Sequence, residues 1–140
     1  MTSGIWEWPR FGLASWYSEQ DPGITPWTAS GERFSDGALT AAMWDLPFGS
    51  CVQVTNLWTL DKAMVRINDR GPAMRLVHQG RLIDLSAGAF AKLADLGEGL
   101  VPVQVELLDP HRCQMPTHQA SRPLERQPAS SEIDSVGTAG

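Results

Sequence analysis

Hydrophobic and polar residues alternate along several short runs of this 140-residue chain. Val52 and Val54 are separated by a polar residue, and Val103, Val105 and Leu107 repeat the pattern further along. A period of two is typical of a strand with one buried face. Five runs therefore predict strands: GLASWYS at 12–18, CVQVTNL at 51–57, KAMVRIND at 62–69, GRLIDLS at 80–86 and VPVQVELL at 101–108.

One segment has a different pattern and predicts a helix. In SAGAFAKLADLG, Ser86 is suited to cap the first turn, and Phe90 and Leu93 lie three residues apart. Gly97 is suited to the C-terminal cap. Clusters of Gly, Pro, Asn and Asp separate the other runs and indicate turns. The pattern as a whole predicts one small β-rich domain with a short helix.

Composition divides the chain into three parts. Residues 1–10 predict a short N-terminal arm, and residues 11–108 predict the compact domain. Residues 109–140 contain four prolines and no Phe, Trp or Tyr. Such a segment buries too little apolar surface to offset the entropy lost on ordering, so we expect a largely disordered tail.

Charge and hydropathy exclude some classes of protein. The net charge is −5 and no run of Lys or Arg is present, which argues against nucleic-acid binding. No apolar stretch approaches the ~18 residues of a membrane span. Residues 1–20 lack the pattern of a signal peptide. A cytoplasmic chain and a mature or truncated exported chain both stay open.

The cysteines and histidines do not predict a metal site. The chain has two cysteines and three histidines, without a CxxC pair or a Cys/His cluster. We expect no metal and no cofactor. Cys51 and Cys113 form either a disulfide that ties the tail to the domain or two free thiols, and the sequence leaves both open.

Three segments in a fixed order carry a resemblance to a known family. These are GLASWYS, then TASGERF followed by LTAAM, LPFGS and VQVTN, and finally VRINDRGP with RLIDLS and the helix. The order and spacing resemble the RlpA-like (rare lipoprotein A) double-psi β-barrel family over residues 12–107. The resemblance implies an all-β, six-stranded double-psi barrel with one or two short helices. It also implies action on bacterial cell-wall glycan in the periplasm or at the cell surface.

Anhydro-forming glycan cleavage needs a proton donor at the glycosidic oxygen and a carboxylate near the developing positive charge. Asp84 is the first candidate, because its apolar neighbours in LIDLS would raise its pKa. By resemblance it matches the acid of related endoglucanases and expansins. Asp69 in the INDRGP turn and Glu32 in SGE are further candidates. For Asp84 and Asp69, a purely structural role in a turn stays open.

The chain departs from the family pattern at two positions of the second segment. The family's aspartate position is Ser35, with Asp36 one place later, and its histidine position is Met43. We expect Asp36 to substitute only if the loop bulges, because a shift of one residue normally reverses the direction of a side chain. A thioether cannot shuttle a proton.

Aromatic and basic residues predict where the glycan binds. Trp and Tyr suit surfaces that are apolar on one side and wet on the other. Since neighbouring strand residues face opposite ways, Trp16 and Tyr17 cannot both line the groove. The resemblance implies Tyr17 in the groove and Trp16 in the core. Trp44, beside Met43, is a candidate to cover the space of the absent histidine. Arg66 and Arg70 are candidates to pair with Asp69 or Asp84, and a role in tying the loop to the barrel stays open for Arg70. The predicted substrate-binding residues are Tyr17, Thr28, Trp44, Arg66 and Arg70.

The sequence therefore predicts a monomeric protein that acts on peptidoglycan or a related cell-wall polysaccharide. Its main function would be that of a lytic transglycosylase, weakened by the changes at positions 35 and 43. Two alternatives stay open: a non-catalytic, expansin-like glycan-binding module, and a barrel that binds or inhibits another protein.

Overall fold

Six strands close into a barrel in the computed structural model, which describes residues 8–23 and 25–113. The strands are β1 (Arg10–Tyr17), β2 (Thr40–Ala42), β3 (Cys51–Asn56), β4 (Lys62–Asp69), β5 (Arg81–Ser86) and β6 (Val101–Leu108). Their order around the barrel is β1-β5-β2-β4-β3-β6. The predicted six-stranded barrel is confirmed. Most of the predicted arm and tail lies outside the described residues.

The barrel mixes two kinds of strand pairing. β1 pairs with β5 and β2 pairs with β4 in parallel, whereas the other neighbours are antiparallel. Each parallel pair joins strands that are distant in sequence, so the chain must cross over the barrel between them. As a result, β1, β5, β2 and β4 lie side by side although no two neighbours among them are consecutive in the chain.

Inward-facing side chains of the strands fill the barrel. Val52 and Val54 on β3 are fully buried, as are alternate residues of β4, β5 and β6. Most of these residues are β-branched, and such residues pack well on a pleated surface. The alternation predicted for these strands is therefore the alternation between core and surface.

Strand β2 was not among the five strands predicted from alternation. It has three residues, Thr40–Ala42, and all three are buried. A short strand that is buried on both faces shows no period of two, so alternation could not reveal it. Its sequence was noticed only as part of the family motif.

The helices are shorter than predicted. Helix α2 spans Ala87–Ala91, and the Ser86 hydroxyl accepts a hydrogen bond from the backbone N–H of Ala89, as a cap does. The predicted end at Gly97 is wrong, because Gly97 belongs to a separate 3₁₀ turn, Leu96–Glu98. Helix α1, Met74–Val77, is one turn long. No helix in the described residues is long and apolar enough to cross a membrane.

A disulfide joins Cys51 and Cys113, whose Cα atoms are 6.0 Å apart. Cys51 begins β3 and lies opposite Leu108 at the end of β6. The bond therefore fastens the segment after the last strand to the barrel wall. Of the two alternatives that the sequence left open for these cysteines, the structure has the disulfide.

Close packing between β1 and β5 leads to a first prediction. A Cβ atom added at Gly12 would lie 2.7 Å from the Cβ atom of Leu82 and 3.1 Å from the carbonyl oxygen of Gly80. We expect Gly12→Ala to lower the free energy of unfolding by about 1–3 kcal/mol, as overpacking usually does. Urea denaturation followed by tryptophan fluorescence measures the change.

Gly97→Ala is the matched control, because a Cβ atom there meets no atom within 4 Å. Equal unfolding free energies for the Gly12 and Gly97 variants would contradict the packing described for β1 and β5.

Candidate active site

One row of residues crosses four adjacent strands. Ser15 on β1 lies opposite Asp84 on β5, and Asp84 lies opposite Ala42 on β2. Ala42 lies in turn opposite Asp69 on β4. The two carboxylates are therefore two strands apart, which places their backbones roughly 10 Å from each other. The small side chain of Ala42 between them leaves space above the row.

Asp84 points away from the barrel core. Its neighbours Ile83 and Leu85 are fully buried, and alternation along the strand turns Asp84 to the opposite face. The hydroxyl of Ser15 donates a short hydrogen bond to Asp84 Oδ1. The same hydroxyl oxygen accepts a hydrogen bond of 3.2 Å from Arg81 Nη1. Arg81, Ser15 and Asp84 thus form a chain of hydrogen bonds between β1 and β5.

Burial raises the pKa of the Asp84 carboxyl above its usual value. The hydrogen bond from Ser15 and the charge of Arg81 lower this pKa, and the charge of Asp69 raises it again. Desolvation is the largest of these effects, because it disfavours the charged form. A carboxyl group in this environment holds its proton at a higher pH than an exposed one.

Asp69 lies at the end of β4 and is tied by three hydrogen bonds. Its Oδ1 atom accepts from the backbone N–H groups of Ala29 and Arg70, both at 2.9 Å, and its Oδ2 atom accepts from the Tyr17 hydroxyl at 3.2 Å. The Tyr17 ring stacks on Phe34 with 4.6 Å between centroids. Burial and the charges of Asp69 and Asp84 raise the pKa of the Tyr17 phenol, which therefore stays protonated and donates.

Two adjoining cavities open beside these groups. One, of about 200 Å³, is lined by Asp84, Asp69 and Tyr17 together with Ala42, Arg70, Gly71 and Ala73. The other, of about 230 Å³, is lined by Tyr17 and Asp69 together with Gly23, Thr25, Trp27, Thr28 and Phe34. Tyr17 and Asp69 belong to both, so the cavities are two parts of one groove.

Gly71 forms part of the wall beside Asp84. A Cβ atom at this position would lie 3.4 Å from both Asp84 Oδ2 and the Cβ atom of Ala42. A larger side chain there would therefore cover the carboxyl group. The Asp-Arg-Gly-Pro turn keeps this approach to Asp84 open.

Glu32 is held in an ion pair and lines neither cavity. Its Oε1 atom accepts hydrogen bonds of 2.9 Å from Arg66 Nη1 and from Asn68 Nδ2. The side chain of Arg66 is only 12% exposed. The expectation that Arg66 pairs with Asp69 or Asp84 is therefore wrong, because its guanidinium binds Glu32. Glu32 and Arg66 fasten the loop to β4 and do not face the groove.

Asp36 is also used within the fold. Its carboxylate accepts hydrogen bonds from Ser18 Oγ at 3.1 Å and from the backbone N–H of Glu19 at 2.7 Å. Its carbonyl oxygen accepts from Gly88 N at 2.8 Å. These bonds connect the loop to the end of β1 and to helix α2. Asp36 lines neither cavity, so the idea that it takes the place of the family's aspartate there has no support in the geometry.

Position 43 corrects a second expectation. The Met43 side chain is 1% exposed and belongs to the barrel core, so it leaves no space for Trp44 to fill. Its backbone N–H donates to the carbonyl oxygen of Asp69 at 3.2 Å. Trp44 is half-buried, donates from Nε1 to the carbonyl oxygen of Pro72 at 2.7 Å, and lines neither cavity.

Two further predicted residues do line the groove. Thr28 lies in the second cavity, and its hydroxyl donates to the carbonyl oxygen of Glu32 at 2.9 Å. Arg70 lies in the first cavity, where Nη1 donates to the carbonyl oxygen of Met43 at 3.1 Å and the guanidinium lies 4.0 Å from the centre of the Phe48 ring. Tyr17 lines both cavities, as the family resemblance implied.

Sequence reasoning missed Ser15 and Arg81. Ser15 contacts Asp84, which is 69 residues further along the chain, and Arg81 contacts Ser15 across 66 residues. Nothing local in the sequence indicates either contact. The period of two in β1 placed Ser15 on the same face as Tyr17, which was the one available signal. Among residues 8–23 and 25–113, no group of three or more His, Cys, Asp and Glu side chains could hold a metal ion.

Comparison with known proteins identifies relatives of this barrel. A family model described as lytic transglycolase matches residues 10–105. A probable endolytic peptidoglycan transglycosylase RlpA from a Nostoc species is 48% identical over 97 residues, which are 69% of this chain and 25% of the relative. The corresponding protein of Pasteurella multocida is 43% identical over 99 residues, or 71% and 32% of the two chains. The match thus covers about a quarter to a third of these relatives' lengths.

Solved structures with the same fold are more distant in sequence. A Streptomyces papain inhibitor has a TM-score of 0.57 at 22% identity, over 73% of this chain and 96% of its own. An expansin of Clavibacter michiganensis has a TM-score of 0.57 at 20% identity, over 74% and 52% of the two chains. At this level of identity the likeness concerns the fold alone.

The raised pKa of Asp84 predicts how pH changes stability. Between the ordinary pKa of an aspartate and the raised value in the fold, the folded state binds more protons than the unfolded state, so stability falls as pH rises. Asp84→Asn removes this ionisation. We expect the variant to gain stability relative to the parent as pH rises from roughly 3 to 8, and to lose that gain at low pH.

Urea denaturation across this pH range measures the difference. Asp95→Asn is the matched control for removal of one carboxylate, because Asp95 is exposed and its side chain makes no capping hydrogen bond. A constant difference between Asp84→Asn and the parent at every pH would contradict the prediction.

The hydrogen bond from Ser15 leads to a separate prediction. This bond lowers the pKa of Asp84, so Ser15→Ala should raise the pKa further, while Ser15→Thr keeps a hydroxyl and should restore most of the effect. Titration of the Asp84 carboxyl carbon by NMR gives the midpoint in each protein. Identical midpoints in the parent and in Ser15→Ala would show that the hydroxyl does not act on Asp84.

Proposed function

Because this chain belongs to the lytic transglycolase family of double-psi β-barrels, we propose that it cleaves the glycan strands of peptidoglycan without water, leaving 1,6-anhydro ends. The observation that carries the proposal is the half-buried Asp84 carboxyl, which faces an open cavity that it shares with Asp69. The relatives are named as endolytic transglycosylases of peptidoglycan.

Asp84 acts as acid and then as base in this proposal. Its carboxyl group gives a proton to the glycosidic oxygen while the bond between that oxygen and C1 breaks. The resulting carboxylate then takes the proton from the sugar's own C6 hydroxyl as that oxygen bonds to C1. The proton lost in the first step is regained in the second, so one residue with a raised pKa serves the whole reaction.

Asp69 and Tyr17 stabilise the charge that develops between these steps. The sugar ring becomes positively charged at C1 and the ring oxygen, and a carboxylate in a groove stabilises such a charge. Three hydrogen bonds fix Asp69, and its partner Tyr17 is held by stacking on Phe34. The carboxylate is therefore in position before the substrate binds.

The site of action follows from this substrate. The relatives act on peptidoglycan, so we place this protein at the cell wall, in the periplasm or at the cell surface. We also keep the proposal that it works as a monomer.

A second candidate is a glycan-binding module without turnover. Trp27 and Phe48 are 58% and 42% exposed near the two parts of the groove, and exposed aromatic rings suit sugar faces. Glu32 is committed to Arg66, and Met43 lies in the core, so neither adds a proton-transfer group to the groove. Binding to sacculi without any product would favour this candidate.

The enzymatic proposal predicts the effect of one substitution. Asp84→Asn keeps the size of the side chain but cannot carry the proton, so we expect a loss of about 10²–10⁴-fold in turnover. Sacculi stripped of stem peptides are the substrate, and 1,6-anhydro products are measured by mass spectrometry. Asp95→Asn is expected to keep the parent's rate, because Asp95 is exposed and lines neither cavity.

Turnover by Asp84→Asn at the parent's rate would overturn the assignment of Asp84. Absence of anhydro product from the parent itself would overturn the enzymatic function and leave glycan binding as the function to test.

A further inference from the structure

The second part of the groove has an aromatic residue at its edge that the reaction does not use. Trp27 lines this cavity together with Tyr17, Thr28 and Asp69, and its side chain is 58% exposed. A tryptophan that lies at the surface beside a cavity costs the protein hydrophobic stabilisation, since the ring could otherwise be buried. The exposed ring is therefore available to a ligand in this cavity.

Trp27 is held in place by a short hairpin. An isolated β-bridge joins Trp27 to Arg33, and the Phe34 N–H donates to the carbonyl oxygen of Pro26 at 2.8 Å. The Thr28 N–H donates to the carbonyl oxygen of Glu32 at 2.8 Å. The Glu32 ion pair then fastens this hairpin to β4. The ring is thus presented by a fixed support, which lowers the entropy lost on binding.

Arg33 adds a positive charge beside the ring. Its guanidinium lies 5.7 Å from the centre of the Trp27 ring, within the range of a cation–π contact. Arg33 is exposed, and within the described residues it has no ion pair with an acidic side chain. An arginine in this state is free to bind a carboxylate of a ligand.

The other part of the groove has the same combination. There the Arg70 guanidinium lies 4.0 Å from the centre of the Phe48 ring, and Arg70 lines the cavity that contains Asp84. Each part of the groove therefore has a contact between an aromatic ring and an arginine beside it. A groove with binding groups on both sides of the reacting centre suits a polymer that passes through it.

We propose that Trp27 and Arg33 form a sugar-binding subsite that takes an acidic sugar of the same glycan strand, next to the sugar held at Asp84. This inference rests on the proposed function. Continuity of the two cavities through Tyr17 and Asp69 supports one strand as the occupant. In peptidoglycan, muramic acid carries a lactyl carboxyl group that is free where no stem peptide is attached. The Trp27 ring packs on the sugar face, and the Arg33 guanidinium binds that carboxylate.

Binding to two forms of one glycan tests both residues. The first form is soluble peptidoglycan strands without stem peptides, and the second is the same strands with their lactyl carboxyl groups converted to amides. We expect the parent to bind the acidic form more tightly. Trp27→Ala should weaken binding of both forms by about tenfold, which is a typical effect of losing one aromatic contact. Arg33→Gln should remove the preference for the acidic form and leave binding of the amide form unchanged.

Isothermal titration calorimetry gives the affinities, with Asp84→Asn present in every protein, the parent included, so that the proposed cleavage does not consume the glycan. Trp58→Ala is the matched control. Trp58 is 66% exposed but follows β3 beside the start of β4, whereas Asp69 ends β4, roughly 20 Å away along the strand. Trp27→Phe keeps a flat ring and should recover most of the affinity, which separates loss of the ring from damage to the hairpin.

Three results would overturn the subsite. Unchanged affinity in Trp27→Ala excludes the ring, and an unchanged preference for the acidic form in Arg33→Gln excludes the charge. An equal loss in Trp58→Ala shows that the effect is not local. If the parent binds neither form, the proposed function fails together with the subsite. The results for Trp27→Ala and Arg33→Gln are distinguishable from this one, because both require that the parent binds the glycan.

Discussion

Three strand pairings determine where the two carboxylates of the groove lie: β1 with β5 and β2 with β4 in parallel, and β2 with β5 antiparallel. They set Ser15, Asp84, Ala42 and Asp69 side by side across four strands. A shift of one residue in any of these pairings would turn a carboxylate from the groove face to the core face. The register is in turn fixed by the fully buried residues between these positions, such as Ile83 and Leu85. The hydrophobic core therefore decides which polar side chains can meet.

The loop before β2 is held in position by contacts with β4. Several contacts join them, among them the Ala29 N–H to Asp69, the Ser30 N–H to the carbonyl oxygen of Asn68, and the Glu32 ion pair with Arg66. Breaking one partner of a buried ion pair usually destabilises a protein strongly, because the other charge stays unpaired. Glu32 thus has a clear role in holding the loop that carries Trp27 and Thr28, although it does not face the groove. A conspicuous carboxylate in a motif need not be a reacting group.

The sequence was informative where a pattern is local and uninformative where contacts are distant. Alternation predicted five strands, and the Ser86 cap was predicted from its neighbours alone. The pattern did not predict strand β2, because its three residues are all buried. It did not predict α1 either, because a single turn has no periodicity. Asp84, Asp69 and Tyr17 were expected together through the family motif, and the structure brings them to one cavity. The Arg66 pairing with Glu32 and the Ser15 contact with Asp84 depend on strand register, which one sequence does not reveal.

Met43 stands at the position of the family's histidine, and its side chain is buried in the core. The proposed reaction must therefore proceed without a proton-transfer group at this position. A hydrolase that activates water needs a base in addition to its acid, whereas anhydro formation uses the sugar's own hydroxyl and can return the proton to the same group. We propose Asp84, whose pKa is raised by burial, as such a group; Ser15 donates a hydrogen bond to it, and Arg81 donates one to Ser15. Asp69 accepts three hydrogen bonds, which fix the position of its side chain in the groove. The geometry of the groove therefore fits the proposed reaction, in which one residue carries the proton. The Met43 thioether in the core does not conflict with that reaction.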